Sequence, residues 1–95
     1  MRMMDIVTKL TDRQLQLMSI TAEECAELTQ VCMKAVRFGL DEQQRARLVE
    51  ELGDVQCMIN LMKEHNILTD NDLSASIDVK YNKLKTWSNL IDATL

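Results

Sequence analysis

Proline is absent from this chain and glycine occurs only twice, at Gly39 and Gly53. Such a backbone has few places to turn sharply, and Phe38-Gly39-Leu40 is the strongest break in its first half. The acidic residues form a mirrored pattern about that break. Glu24 and Glu27 are one helical turn apart, and so are Glu51 and Asp54. Glu24 lies fifteen residues before Gly39 and Asp54 fifteen after it; Glu27 and Glu51 are each twelve away. A chain that folds back at Gly39 therefore brings Glu24 level with Asp54 and Glu27 level with Glu51. At ~1.5 Å per residue, both pairs sit roughly 18–22 Å from the turn.

The residues between these landmarks are helix formers, mainly Leu, Met, Ala, Glu, Gln and Lys, which predicts an all-α fold. Hydrophobic residues make up 46% of the 95 positions but aromatics only 3%, so the core must be aliphatic and Met-rich. A net charge of −4 with no basic block, and single Trp, Tyr and Phe residues, argue against nucleic acid as the main partner. No stretch approaches the ~20 apolar residues of a membrane span. The start, Met1-Arg2-Met3-Met4-Asp5, does not read as a signal peptide. Cys25, Cys32 and Cys57 are odd in number and form no Cys-x-x-Cys pair, so they are expected as small buried hydrophobes in a reducing cytoplasm. His65 is the only histidine and has no metal-ligand spacing around it, which disfavours zinc.

Three helix starts are legible. Thr11 with Gln14 forms a capping-box pattern, followed by an apolar series at Leu15, Met18, Ala22, Cys25, Leu28, Cys32 and Ala35. Gly39 ends this helix, with Arg37 in the last turn. Asp41 caps a second helix, with Leu48, Leu52, Val55, Ile59 and Met62 apolar, running to about His65 and stopping at Asn66. Thr69-Asp70-Asn71-Asp72 opens a third, whose apolar residues run from Leu73 to Leu90 and Ile91. Residues 1–10, with Met3, Ile6, Val7 and Leu10, leave room for a short N-terminal helix. The expectation is one domain over residues 1–95: an antiparallel bundle of three helices of roughly 20–27 residues. Three such helices do not easily close a core, so a homodimer or homotetramer is expected to complete it.

Acidic runs on helices are usually solvated faces, and either pair alone reads that way. Here the pairs occupy or border the apolar stripes: Glu24 and Glu27 are in line with Ile20 and Val31, Glu51 and Asp54 with Leu48, Val55 and Met58. Two like charges ~4 Å apart repel by about 4 kcal/mol at an effective dielectric of about 20. Four such groups in a half-buried cleft either take up protons or bind a hard divalent cation, and all-oxygen ligation suits Mg²⁺ or Mn²⁺. A di-iron bundle needs Glu-x-x-His pairs, which the chain lacks.

Glu24-x-x-Glu27 followed by Glu51-Leu52-Gly53-Asp54 resembles the signature of the MazG-like all-α nucleoside triphosphate pyrophosphohydrolases, over about residues 15–87. The resemblance implies a Mg²⁺-dependent enzyme that cleaves nucleoside triphosphates between the α- and β-phosphates, giving a monophosphate and pyrophosphate. It implies Glu24, Glu27, Glu51 and Asp54 as catalytic metal ligands, with Mn²⁺ able to substitute. The general base stays open among these four, Glu23 and Glu50. Members of this superfamily also include narrow dCTP, dUTP or phosphoribosyl-ATP pyrophosphohydrolases. The non-enzymatic alternative is a helical interaction module with a solvated acidic face.

For the phosphates, the sequence has no P-loop and offers lysines instead. Lys34 lies seven residues after Glu27 and shares its face; otherwise it is a surface lysine. The family gathers Lys, Asn and Arg near the end of the third helix. This chain departs from that: Asn82 follows Lys80 by two residues and no arginine follows Arg47. Lys80 and Lys83 are the candidates, against a plain basic face. Trp87 and Tyr81 are expected in the core or an interface rather than stacked on a base. Met18, Met33, Met58 and Met62 are expected as core and interface filling.

Overall fold

A computed structural model describes residues 9–91 of the chain, and every regular element in them is helical. The elements are α1, Asp12–Phe38; α2, Glu42–Glu64; and α3, Asp70–Trp87. The region expected to hold a short N-terminal helix lies outside the described residues, apart from Lys9 and Leu10, which are not helical.

The caps fall where the side chains direct them. Thr11 accepts from the Gln14 backbone amide while the Gln14 side chain accepts from that of Thr11, completing the capping box of α1. Asp41 does half of this for α2, accepting from the Gln44 amide. Thr69 and Asp72 repeat the full box at α3. Gly39 ends α1 at φ 88° and ψ 179°, a backbone region that only glycine occupies cheaply. Asn66, just past α2, takes φ 61°, a left-handed conformation that asparagine tolerates better than most residues. The third helix is shorter than expected, at 18 residues. Ser88 is extended and its hydroxyl accepts from the Leu90 amide, so a local turn replaces the continuation of the helix. Leu90 and Ile91 therefore lie beyond α3.

The fold comprises two compact units, Met1–His65 and Asn66–Leu95. The first contains the α1–α2 hairpin, closed by residues 39–41. Its two helices meet along matched seams. On α1 the buried or half-buried positions include Gln14, Leu17, Thr21, Glu24, Leu28, Val31 and Ala35, which alternate in steps of three and four. On α2, Gln44, Leu48, Glu51, Val55, Met58 and Met62 follow the same alternation. Leu17, Val31 and Met58 are the buried apolar residues of this seam, and Glu51 is buried among them.

This seam corrects the apolar series expected for α1. Leu15, Ala22, Cys25 and Cys32 are exposed, each one residue past a seam position. The true seam carries Thr21 and Glu24 at its centre, and a reading that follows hydrophobicity slides past them onto Ala22 and Cys25. All three cysteines are exposed free thiols rather than buried hydrophobes. Leu52 is likewise exposed on α2. Met58 is buried and Met18 and Met62 half-buried, but Met33 is exposed. In the second unit, α3 has no fully buried residue. Tyr81 and Trp87 are exposed, Trp87 at 82%, so neither fills a core in the single chain.

The seam assignment is testable by denaturant unfolding. Met58→Ala should lose about 2–5 kcal/mol, as buried large-to-small changes do. Cys25→Ser, on the exposed side, should stay within about 0.5 kcal/mol of the parent chain.

Candidate metal centre

One turn of each seam brings the four acids together. Single carboxylate oxygens of Glu24, Glu27, Glu51 and Asp54 all lie within 4.8 Å of one another. The spacing about Gly39 brings the two pairs to one level, where all four acids meet. Glu24 feels the charges of Glu27 and Asp54, and Glu51 those of Glu27, Asp54 and Glu24. Glu24 and Glu51 are seam residues, while Glu27 stands at the more exposed edge.

The electrostatics follow from this placement. Burial is the main cause that pushes the Glu51 carboxyl above its ordinary value, followed by the charge of Glu27, the Glu27 hydrogen bond, and the charges of Asp54 and Glu24. Glu24 is raised in the same way, by burial first and then by Glu27, Asp54 and Glu23. Each of these two residues also carries a buried Oε2 atom with no hydrogen-bond partner. Buried polar atoms are normally satisfied, and a buried carboxylate oxygen without a donor is costly. The cation paired with the cluster is Arg47, whose Nη2 lies 3.9 Å from Glu51 Oε1, too far for a hydrogen bond.

The residues fit a hard divalent cation: two orphaned buried oxygens, two further carboxylates within reach, and only oxygen donors. Lys34 is exposed on α1, two helical turns beyond Glu27 or ~10 Å along the axis. It is not among the clustered side chains. Lys80 and Lys83 are exposed on α3, in the second unit. Gly53 sits between the two acids of α2, and a side chain built there would meet nothing within 4 Å, so hairpin packing does not require the glycine. Sequence reasoning missed the contact of Arg47 with Glu51; its signal was the i,i+4 spacing of opposite charges on one helix.

No helix among the described residues is long and apolar enough to cross a membrane. Comparison with protein-family models, with curated proteins and with solved structures finds no match.

A pH experiment follows from the raised carboxyls. The ordinary value for both glutamates is 4.5, and in the folded protein both lie higher. The folded state then binds more protons than the unfolded one between those values, so stability falls as pH rises through that window. In EDTA, the melting temperature should be highest at mildly acidic pH and should drop as pH rises through the window above 4.5. Saturating Mg²⁺ should flatten that drop; the same slope with and without metal would contradict the site.

Proposed function

We propose that this chain is a Mg²⁺-dependent nucleoside triphosphate pyrophosphohydrolase of the MazG-like kind, converting (d)NTPs to (d)NMPs and pyrophosphate. The observation that carries the reading is the pair of unpartnered buried oxygens on Glu24 and Glu51, set among two more carboxylates. Such a group is unfavourable as a structural element and suited to holding a cation. The four clustered residues are also the four that make up the motif Glu-x-x-Glu and Glu-x-x-Asp, which ties the geometry to the resemblance.

In this reading Glu24, Glu27, Glu51 and Asp54 hold Mg²⁺, with Mn²⁺ as a substitute. A divalent cation bound there neutralises phosphate charge and supplies Lewis acidity. The chain's own residues do the rest. The seam fixes Glu24 and Glu51 in place, so the ligand geometry needs little reorganisation. The proton acceptor for an attacking water stays open among these four acids, Glu23 and Glu50, and of the last two the charge of Glu23 is felt at Glu24. Lys34, Lys80 and Lys83 are the proposed phosphate-binding lysines, and all three side chains are exposed. The biological task is control of the nucleotide pool or removal of aberrant nucleotides. A cytoplasmic setting fits three free thiols.

Product analysis tests the reaction. The protein would be incubated with the eight standard NTPs and dNTPs and with dUTP, in Mg²⁺ and in EDTA. Monophosphate and pyrophosphate should form only with metal, and the ranking of substrates separates a broad enzyme from a dCTP- or dUTP-specific one. Phosphoribosyl-ATP, assayed alongside, covers the remaining narrow reading. Glu27→Ala and Asp54→Ala should each lower turnover at least ~100-fold with helicity near the parent level. Diphosphate and phosphate as products would refute the reaction, and no turnover would favour the interaction-module reading.

The proposal extends to assembly as a homodimer or homotetramer. At least fourteen large hydrophobic side chains among the described residues are 40% or more exposed. Val36, Phe38 and Leu40 crowd the hairpin turn, and Trp87 and Leu90 mark the end of the second unit. A second copy is the occupant that a chain this thinly cored needs in order to bury them. Light scattering at micromolar concentration should give at least twice the 10.9 kDa chain mass, and a monomeric mass would contradict this.

A further inference from the structure

We propose that Arg47 is a resident counter-ion of the four-carboxylate cluster and competes with the divalent cation for Glu51. The inference rests on the metal-site reading above and concerns how readily that site takes its ion.

Arg47 lies one turn before Glu51 on α2, with Nη2 3.9 Å from Oε1. The two partners differ sharply in exposure: the Arg47 side chain is 55% exposed and that of Glu51 only 6%. The guanidinium therefore stands at the solvent edge above a buried carboxylate. At that distance the contact is Coulombic rather than a hydrogen bond, so it leaves the hydrogen-bonding need of Glu51 unmet. The other oxygen, Glu51 Oε2, is buried and has no partner. Arg47 thus offsets part of the negative charge of the cluster without occupying the ligand positions.

In the metal-free protein this positive charge relieves carboxylate repulsion. With a divalent cation among the same carboxylates, the guanidinium faces a like charge across Glu51. Its one favourable contact there is weakened, because the carboxylate is now shared. Arg47 therefore favours the metal-free state over the metal-bound one, and removing it tightens metal binding. Because the Arg47 side chain is more than half exposed, solvent screening keeps the effect modest, at about two- to five-fold in affinity.

The test is Mn²⁺ binding, read by the electron paramagnetic resonance signal of free Mn²⁺ and by the metal-dependent shift in melting temperature. The proteins are the parent chain, Arg47→Met, Arg47→Lys and Arg45→Met. Arg45 is on the same helix two residues earlier, so Arg45→Met removes the same formal charge from a different helical face. Arg47→Met should bind Mn²⁺ about two- to five-fold more tightly than the parent and than Arg45→Met, with Arg47→Lys near the parent. Equal affinities for Arg47→Met and Arg45→Met would overturn the proposal, since only net charge would then matter. Weaker binding by Arg47→Met would overturn it too, making Arg47 a support for the ligand geometry. Absence of saturable Mn²⁺ binding by the parent chain would remove the metal-site reading itself, which distinguishes that failure from failure of the Arg47 proposal.

Discussion

Like-charge repulsion at the centre of a helix–helix seam is the constraint on which the rest of this structure depends. Two seam positions that an ordinary hairpin would fill with Leu or Val are filled by Glu24 and Glu51. Their partners across the seam, Asp54 and Glu27, are acids as well. The apolar contacts that hold the hairpin therefore lie to either side of the acids, at Leu17, Val31 and Met58. The seam is both the core of the hairpin and the place where its charge is least comfortable. Any ligand that neutralises the acids also stabilises the fold, because binding to the folded state alone shifts the unfolding equilibrium.

This coupling connects the rest of the hairpin to the site. The capping box of α1 and the Asp41 cap set where the two hairpin helices begin. Gly39 sets where the chain reverses. Those choices fix the height at which the two acidic pairs meet, twelve to fifteen residues from the turn. The thin apolar core is the complement of the same arrangement. Polar residues at seam positions reduce what one hairpin can bury, leaving large apolar side chains on its surface.

Much of this was legible in the sequence, and the rest was hidden for identifiable reasons. Caps and breaks are local: a Thr with a Gln or Asp three residues later competes for the same few amides in any context, so the starts of α1 and α3 were readable. The meeting of Glu24 with Asp54 and of Glu27 with Glu51 was readable because rise per residue is constant on both arms of a hairpin. The rotation of α1 was not, because Thr21 and Glu24 interrupt the apolar pattern where it matters most. Cys25, next to Glu24, looked like the seam residue and is exposed. The end of α3 was also misjudged, since the turn at Ser88 depends on a side chain that competes with the helix for one amide.

By itself the sequence determined the helical class, the helix starts, the turn and the matched levels of four carboxylates. Each follows from short-range stereochemistry and a fixed helical rise. Only the tertiary structure decided which face of α1 turns inward, that Glu24 and Glu51 have buried oxygens without donors, and that Arg47 stands over Glu51. These are properties of burial and of distances across the seam, and burial exists only once two helices have chosen a common axis.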